Sequence, residues 1–433
     1  MKKSYIAAAV AVVVIGLAGV QQVRFQKQVD HQIEEAVRNI NTYEYTSEIM
    51  HASLLEKESS VFASSGMLLI TTKEGKQPSQ FEVTYTVNHG PTSLLTGARY
   101  EVDITNTLFE GDNEETLTSL FFQGKPITLR GSMRSDSTEG VLTIPEVNFS
   151  MDNDTFVSAP LVTNFKASRF DQYGNPDQYT LDGHLPSFLA TNDKATADLT
   201  NFHFSAYNDF NKKGGKGGAQ TSLEGLHIAQ NNEQLLHIEN INFDTHLEVK
   251  SEFVTKFQLA FEKLEWFGYS FTNGQFDQTV KGIDGPAMLE VIEVAEQAQR
   301  EQWEYADTLE SIVNVLKGHA DTLIAQSPSY EVNHLNADLN GALFVQAEGA
   351  VTLNASKLPD NFMTNILESN APIGNALQAA NAVEVNVQAA FGKELAATIA
   401  QFNPELAAML VNFGESLTFE LKDGQPILNG ESL

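Results

Sequence analysis

Apolar and polar residues alternate with a period of two in many segments of this chain, and no other feature constrains its fold as strongly. The alternation is clear at residues 81–88, 241–250, 253–262 and 383–388. Successive side chains of a β-strand point to opposite faces of the sheet, so each segment predicts a strand with one apolar and one polar face. Such strands are typical of antiparallel sheets, because parallel strands are usually apolar on both faces. The sequence therefore predicts mostly antiparallel sheets.

A helical period of about 3.6 residues dominates one block, residues 286–327. Pro286 suits the first turn of a helix, and Gly318 is expected to divide the block into two helices. Strands and helices in separate blocks are typical of the α+β class. We therefore expect a β-rich region at residues 41–282. A helical segment followed by a mixed α+β region is expected at residues 283–433, packed with the preceding sheets.

The N-terminus carries an apolar run behind two positive charges. Lys2 and Lys3 precede the apolar residues 5–20. Basic residues before an apolar run stay in the cytoplasm, so the rest of the chain is expected to be exported. Sixteen helical residues extend about 24 Å, short of the roughly 30 Å of a bilayer core. Residues 1–23 are therefore either an uncleaved signal anchor or a cleavable signal peptide.

The residues behind this run favour the anchor. Apolar residues recur there on one face of a helix: Val29, Ile33, Val37 and Ile40. No Gly or Pro interrupts residues 21–40, so a continuous helix can leave the bilayer. We predict a helical stalk at residues 24–40.

Charge and cysteine content exclude several functions. The chain has 56 acidic and 27 basic residues and a net charge of −29, so it is expected to repel nucleic acid. It has no cysteine, which excludes disulfides, thiol catalysis and zinc–thiolate sites. The sequence also lacks the common metalloprotease, serine hydrolase and phosphate-loop motifs. We therefore predict no catalytic residue, cofactor or metal ligand, although acidic residues brought together by the fold would leave no local motif.

Aromatic residues are concentrated between residues 253 and 271. Cross-strand aromatic packing in a core is the usual role of such residues. The alternative is an apolar face that holds an acyl chain. The candidate lipid-facing residues are Phe253, Phe257, Phe261, Trp266 and Phe267.

Two short motifs resemble those of the YdgA-like family of bacterial proteins. They are Asn88-His89-Gly90-Pro91 and Leu428-Asn429-Gly430, and the N-terminal apolar segment and total length are also similar. The resemblance implies a single-pass inner-membrane or periplasmic protein of Gram-negative bacteria with no established activity. It implies no site residue, and we interpret His89 and Asn429 as turn-forming residues.

These observations favour a non-enzymatic, membrane-tethered periplasmic envelope protein that acts as a scaffold or binding module. The alternatives are a lipid carrier with an apolar groove in a sheet, and a periplasmic hydrolase with a carboxylate site. The expected partners are the inner membrane through residues 5–23, and a lipid or an envelope protein. Self-association through the stalk face or an exposed sheet edge is also compatible with the sequence.

Overall fold

The fold is described from a computed structural model of the chain. The structure describes residues 33–34, 37–38, 40–41, 50–60, 62–72, 80–89, 97–107, 117–134, 136–170, 176–211, 213–231, 233–301, 303–320, 322–359, 362–367, 380–400 and 403–432. The predicted membrane segment, residues 1–23, lies outside these residues. The chain forms two compact units: Met1–Asn208 with Ile228–Asn232, and Asp209–His227 with Glu233–Leu433.

The first unit is a succession of strands with one short helix. Its elements are β1 (Met50–Ser59), β2 (Ala63–Thr72), β3 (Gln80–Asn88), β4 (Ala98–Thr107), α1 (Leu117–Phe122), β5 (Ile127–Met133), β6 (Ser137–Ile144), β7 (Val147–Met151), β8 (Asp154–Ser158), β9 (Leu161–Phe170) and β10 (Pro176–Thr191). The following strands β11 (Ala195–Asn211) and β12 (Gly214–Gln230) contribute residues to both units.

Neighbouring strands of the first unit pair in antiparallel fashion from β1 to β6. Strand β6 then pairs with β9, and β9 with β10. Strands β7 and β8 form an antiparallel hairpin. Strand β8 pairs with the end of β10, beyond the part of β10 that pairs with β9. The prediction of mostly antiparallel sheets is confirmed.

The core of the first unit lies on one face of β2–β5. Its cross-strand rows are fully buried, with Leu68, Val83, Ile104 and Ile127 in one row and Tyr85, Val102 and Leu129 in the next. Residues 33–34, 37–38 and 40–41 are helical. Ile33 and Ile40 are buried in this core, and Val37 packs against it.

The described residues of the predicted helical face, Ile33, Val37 and Ile40, therefore cover the sheet of the first unit, and residues 24–32 of the predicted stalk lie outside the described residues. Asn41, just beyond Ile40, bonds both backbone groups of Ala52: its Nδ2 donates to the carbonyl, and its Oδ1 accepts from the amide, each at 2.8 Å. Lys57 also pairs with Glu34 at 2.7 Å. Ile33, Val37 and Ile40 thus pack within the first unit, and self-association of the chain stays a prediction.

The second unit contains the longest strands and most of the described helices. Its elements are β13 (Glu233–Val249), β14 (Glu252–Trp266), β15 (Tyr269–Asp284), α2 (Gly285–Glu301), α3 (Tyr305–Gly318), β16 (Ser329–Leu339), β17 (Ala342–Leu353), α4 (Phe362–Leu367), β18 (Val383–Phe391), α5 (Lys393–Ala400), α6 (Pro404–Phe413), β19 (Ser416–Lys422), β20 (Gln425–Leu428) and β21 (Glu431–Ser432), with a 3-10 turn at Ala355–Lys357. Strands β13 to β21 pair successively in antiparallel fashion.

Two helices fall within the block predicted to be helical, and the α+β class is confirmed. Helix α2 begins beside Asp284, whose Oδ2 accepts a hydrogen bond of 3.0 Å from the amide of Ala287. A carboxylate at this position satisfies an otherwise unpaired amide of the first turn. The prediction that Gly318 divides the block into two helices is wrong. Helix α2 ends at Glu301 and α3 begins at Tyr305, while Gly318 ends α3 and residues 322–326 form turns. Glycine commonly lies at the end of a helix. In the part of the chain that the structure describes, every helix is too short or too polar to cross a bilayer.

Candidate functional site

The apolar face of the second sheet

The strands β13–β19 of the second unit carry an extended apolar face. Residues directly opposite one another on paired strands lie on the same face of a sheet. The register aligns three such rows, which we call the apolar face: Phe243, Leu259, Phe276, Leu335, Ala347, Ala389 and Leu417; Thr245, Phe257, Gln278, Val332, Gly349, Val387 and Phe419; and Leu247, Thr255, Val280, Tyr330, Val351, Val385 and Leu421. Seven strands at ~4.8 Å spacing make this face about 29 Å wide.

The opposite face of the same strands is polar. Lys256 and Gln258 alternate with the apolar residues of β14, and Gln258 donates a hydrogen bond of 2.9 Å to Asp277 on β15. Asn386 and Gln388 likewise alternate with the apolar residues of β18. The sheet therefore has one wet face and one apolar face, as its alternating sequence predicts.

Every side chain of the apolar face retains contact with solvent. None of the residues in its three rows is fully buried, and Tyr330 and Val351 are each 42% exposed. The equivalent rows on β2–β5 of the first unit are at most 6% exposed, so this chain can form a close-packed core on a sheet. A large, incompletely covered apolar surface is typical of a binding site.

Three phenyl rings define the most aromatic part of this face. The ring of Phe257 lies 5.0 Å from that of Phe243 at 89°, and 5.8 Å from that of Phe276 at 62°. Edge-to-face rings at these separations attract one another. The three rings hold one another in place while remaining partly accessible, so they can contact an apolar ligand without a rearrangement.

The structure separates the five candidate lipid-facing residues into four places. Phe257 is central on the apolar face. Phe253 lies at one end of it, opposite the fully buried Val249. Phe261 lies over Gly274 of β15.

Trp266 and Phe267 occupy the β14–β15 turn, 55% and 65% exposed, with their rings 5.6 Å apart. Residues of β16–β19, such as Val332, Val387 and Phe419, were not among the candidates. The alternation of β18 was visible in the sequence, but only the register places it beside Phe257.

The nearest arrangement to a hydrolytic site lies in the first unit. Ser64 Oγ is 3.1 Å from Nε2 of His89, a distance compatible with a nucleophile and its base. The two residues are only 1% and 5% exposed, however, and Nδ1 of His89 has no hydrogen-bond partner in the described structure. The pair lacks both access and an orienting acid, so its evident role is to join β2 to the end of β3. Asn429, by contrast, forms the turn between β20 and β21, with φ 49°.

The described ionisable groups with a raised pKa in the first unit are isolated from one another. Burial raises the pKa of the Tyr100 hydroxyl to about 12, and that hydroxyl donates to the carbonyl of Glu139 at 3.1 Å. Burial also raises the pKa of the Asp103 carboxyl. Among the described residues, His, Asp and Glu side chains nowhere gather in threes that could hold a metal ion. A polar cavity of about 370 Å³ in the first unit is lined by residues that include Ser132, Arg134, Lys166 and Gln178.

An antiparallel α+β protein with an accessible apolar sheet face is thus the class that the geometry defines. The whole chain, residues 1–433, matches the family model described as bacterial protein of unknown function, DUF945. The chain belongs to this family. No curated protein and no solved structure matches the chain.

Proposed function

We propose that this protein is a non-enzymatic binding module of the bacterial envelope whose apolar face holds the acyl chain of a lipid. The observation that carries the proposal is the incomplete burial of that face across β13–β19. In water, such a surface costs about 25 cal/mol for each Å² of apolar area left exposed, and an apolar ligand recovers that free energy.

An acyl chain suits the dimensions of this face. The hydrocarbon core of a bilayer is roughly 30 Å thick, so one chain spans about half of that. The face is about 29 Å wide across its seven strands, which accommodates an extended chain lying across them. The three rows carry no charged side chain, so nothing on them has to be desolvated at the cost of an unpaired charge.

Tethering in the inner membrane with the body in the periplasm is part of the same proposal. Its support is the sequence: Lys2 and Lys3 before the apolar residues 5–20, and the resemblance to the YdgA-like family of Gram-negative proteins. A protein held beside a bilayer has lipid at high local concentration.

The test compares Phe257→Ala with Phe81→Ala, a matched substitution in the buried core of the first unit. Both variants are extracted from membranes with the natural chain, and bound lipid is measured by mass spectrometry. Binding of the fluorescent fatty acid cis-parinaric acid is titrated in parallel. We expect the natural chain to carry lipid and Phe257→Ala to lose most of it, with a loss of stability below about 2 kcal/mol.

Phe81→Ala should instead lose about 3–5 kcal/mol and keep its lipid when folded. A natural chain that carries no lipid and does not bind the fatty acid would contradict the proposal. Stoichiometric recovery of a protein instead of a lipid would replace it with the scaffold function, and a second copy of the chain would replace it with self-association.

A further inference from the structure

The turn between β14 and β15 has an unusual residue in a left-handed conformation. Trp266 and Tyr269 are paired, and the connection between them is Phe267-Gly268, with φ of 46° and 85°. Two residues with positive φ form the tight hairpin turn that matches the twist of antiparallel strands. The first of these positions strains most side chains, and Asn, Asp and Gly are preferred there.

Three other turns of this kind among the described residues use the preferred residues. Asn340-Gly341 joins β16 to β17 with φ of 52° and 79°, and Asp423-Gly424 joins β19 to β20 with 53° and 72°. Asn429-Gly430 has 49° and 85°. A phenylalanine in the same conformation is therefore a local departure from the chain's own rule.

The strain at Phe267 is not compensated by burial. The Phe267 side chain is 65% exposed and Trp266 is 55% exposed. The backbone of the turn is anchored, since the Phe267 amide donates to the Leu235 carbonyl of β13 at 3.4 Å. A Cβ atom built on Gly268 would nevertheless meet no described atom within 4 Å, so that side of the turn is open. Strained and exposed aromatic residues at the end of a hairpin point to a contact outside the folded unit.

We propose that the Trp266–Phe267 turn inserts into the headgroup region of a lipid bilayer. Indole and phenyl rings are favoured at the boundary between hydrocarbon and water. A protein partner would need roughly 800 Å² on each side, which two rings at the end of one hairpin do not provide. Gln234 and Glu233 beside the turn are exposed and polar, so a flat apolar rim is lacking there.

The lipid surface need not be anionic. The side chains next to the turn include Glu265, which accepts from Gln234 at 2.6 Å and pairs with Lys263 at 2.9 Å. The Lys263 cation is thus already paired, and the chain as a whole carries −29. Insertion should therefore depend on apolar contact and be insensitive to ionic strength. It is independent of the apolar face, because either feature can function without the other.

The experiment places a single tryptophan at the turn of the full chain. Trp303→Phe leaves Trp266 as the only tryptophan, since the chain has two. The protein is reconstituted in phosphatidylcholine vesicles with plain or brominated acyl chains. We expect brominated lipid to reduce Trp266 emission at least twofold and aqueous iodide to have little effect. The reference is Tyr305→Trp in the Trp266→Phe, Trp303→Phe background, because Tyr305 is 83% exposed and should show the reverse.

Two further variants complete the test. Phe267→Asn removes the phenyl ring, so it should weaken bromine quenching of Trp266. Because asparagine suits the turn conformation, the melting temperature should not fall. Phe257→Ala alters the apolar face and should leave the quenching unchanged. Quenching by iodide equal to that of the Tyr305→Trp reference overturns the proposal. Loss of bromine quenching in Phe257→Ala also overturns it, since the bromine would then belong to a lipid bound on the apolar face.

Discussion

The ring of Phe261 on β14 lies directly over Gly274 on β15. The two residues are paired across the strands, and a Cβ atom built on Gly274 would be 2.0 Å from Cζ of the ring. The same device recurs where Phe204 covers Gly183, at 2.1 Å. Glycine leaves a gap in a sheet that a neighbouring aromatic ring can fill. Asn273, next to Gly274, has φ of 54°, so the ring also covers a local irregularity of the strand.

This relationship predicts strong coupling between the two positions. Phe261→Ala should cost about 1–3 kcal/mol, less than a fully buried phenylalanine. Gly274→Ala should also destabilise, because its methyl group displaces the ring. The double variant should be more stable than the sum of the two losses indicates, by about 1 kcal/mol. Urea unfolding of the four proteins measures this coupling, and strictly additive losses would show that the ring does not depend on the glycine.

A second prediction concerns the helix that covers the first sheet. Ile40 is 2% exposed within the core of the first unit. Ile40→Ala should therefore cost about 2–5 kcal/mol, since the cavity would lie inside a close-packed core. Leu55→Ala on β1 is the control, because Leu55 is 54% exposed, and it should change stability by less than about 0.5 kcal/mol. Equal and small losses in urea unfolding would mean that the helix does not contribute to the core.

The raised pKa of Tyr100 predicts that the stability of the protein depends on pH in the alkaline range. Its folded pKa of about 12 lies above the ordinary value of 10.0 because the hydroxyl is buried. A group with a raised pKa contributes stability that is complete below its unfolded value and is lost as pH rises through the folded value. Between pH 10 and 12 the natural chain should thus lose up to about 3 kcal/mol through this residue.

Tyr100→Phe should lack this slope. It should also cost about 1 kcal/mol at pH 7, because the hydrogen bond to the carbonyl of Glu139 is removed. Unfolding at several pH values between 8 and 12 compares the two proteins. Identical slopes would show that Tyr100 ionises as freely in the folded state as in the unfolded state.

The raised pKa of Asp103 predicts that stability also depends on pH in the acidic range. Burial first, and then the charge of Glu101, raise its pKa above the ordinary 3.8. Its contribution to stability is therefore complete below pH 3.8 and is lost as pH rises through the folded pKa, so the carboxylate opposes folding at pH 7. One carboxylate oxygen is buried with no hydrogen-bond partner in the described structure.

Asp103→Asn should accordingly raise the melting temperature at pH 7, with a gain that shrinks as pH falls toward 3. Thermal unfolding at pH 3, 5 and 7 provides the measurement. Asp136→Asn, an exposed substitution in the same unit, is the control and should change little at any pH. A gain for Asp103→Asn that is constant with pH would exclude ionisation as its cause.

The sequence by itself determined the antiparallel α+β class, because the periods of two and 3.6 residues are local properties of short segments. It located the strand at residues 81–88 and the two helices within residues 286–318 for the same reason, although it extended the helical block too far, to residue 327. It also indicated that Ile33, Val37 and Ile40 share one helical face. Their role followed only from the structure, since a periodic face does not specify what covers it.

Tertiary structure alone decided which apolar residues are buried. Phe81 and Phe257 both occupy alternating strands, yet the first is in a core and the second on the incompletely buried apolar face. Alternation fixes the side of the strand on which a residue lies, but burial depends on a helix or sheet supplied from elsewhere in the chain. The same holds for the register that places Phe257 between Thr245 and Gln278, because cross-strand partners are selected by packing between segments distant in sequence.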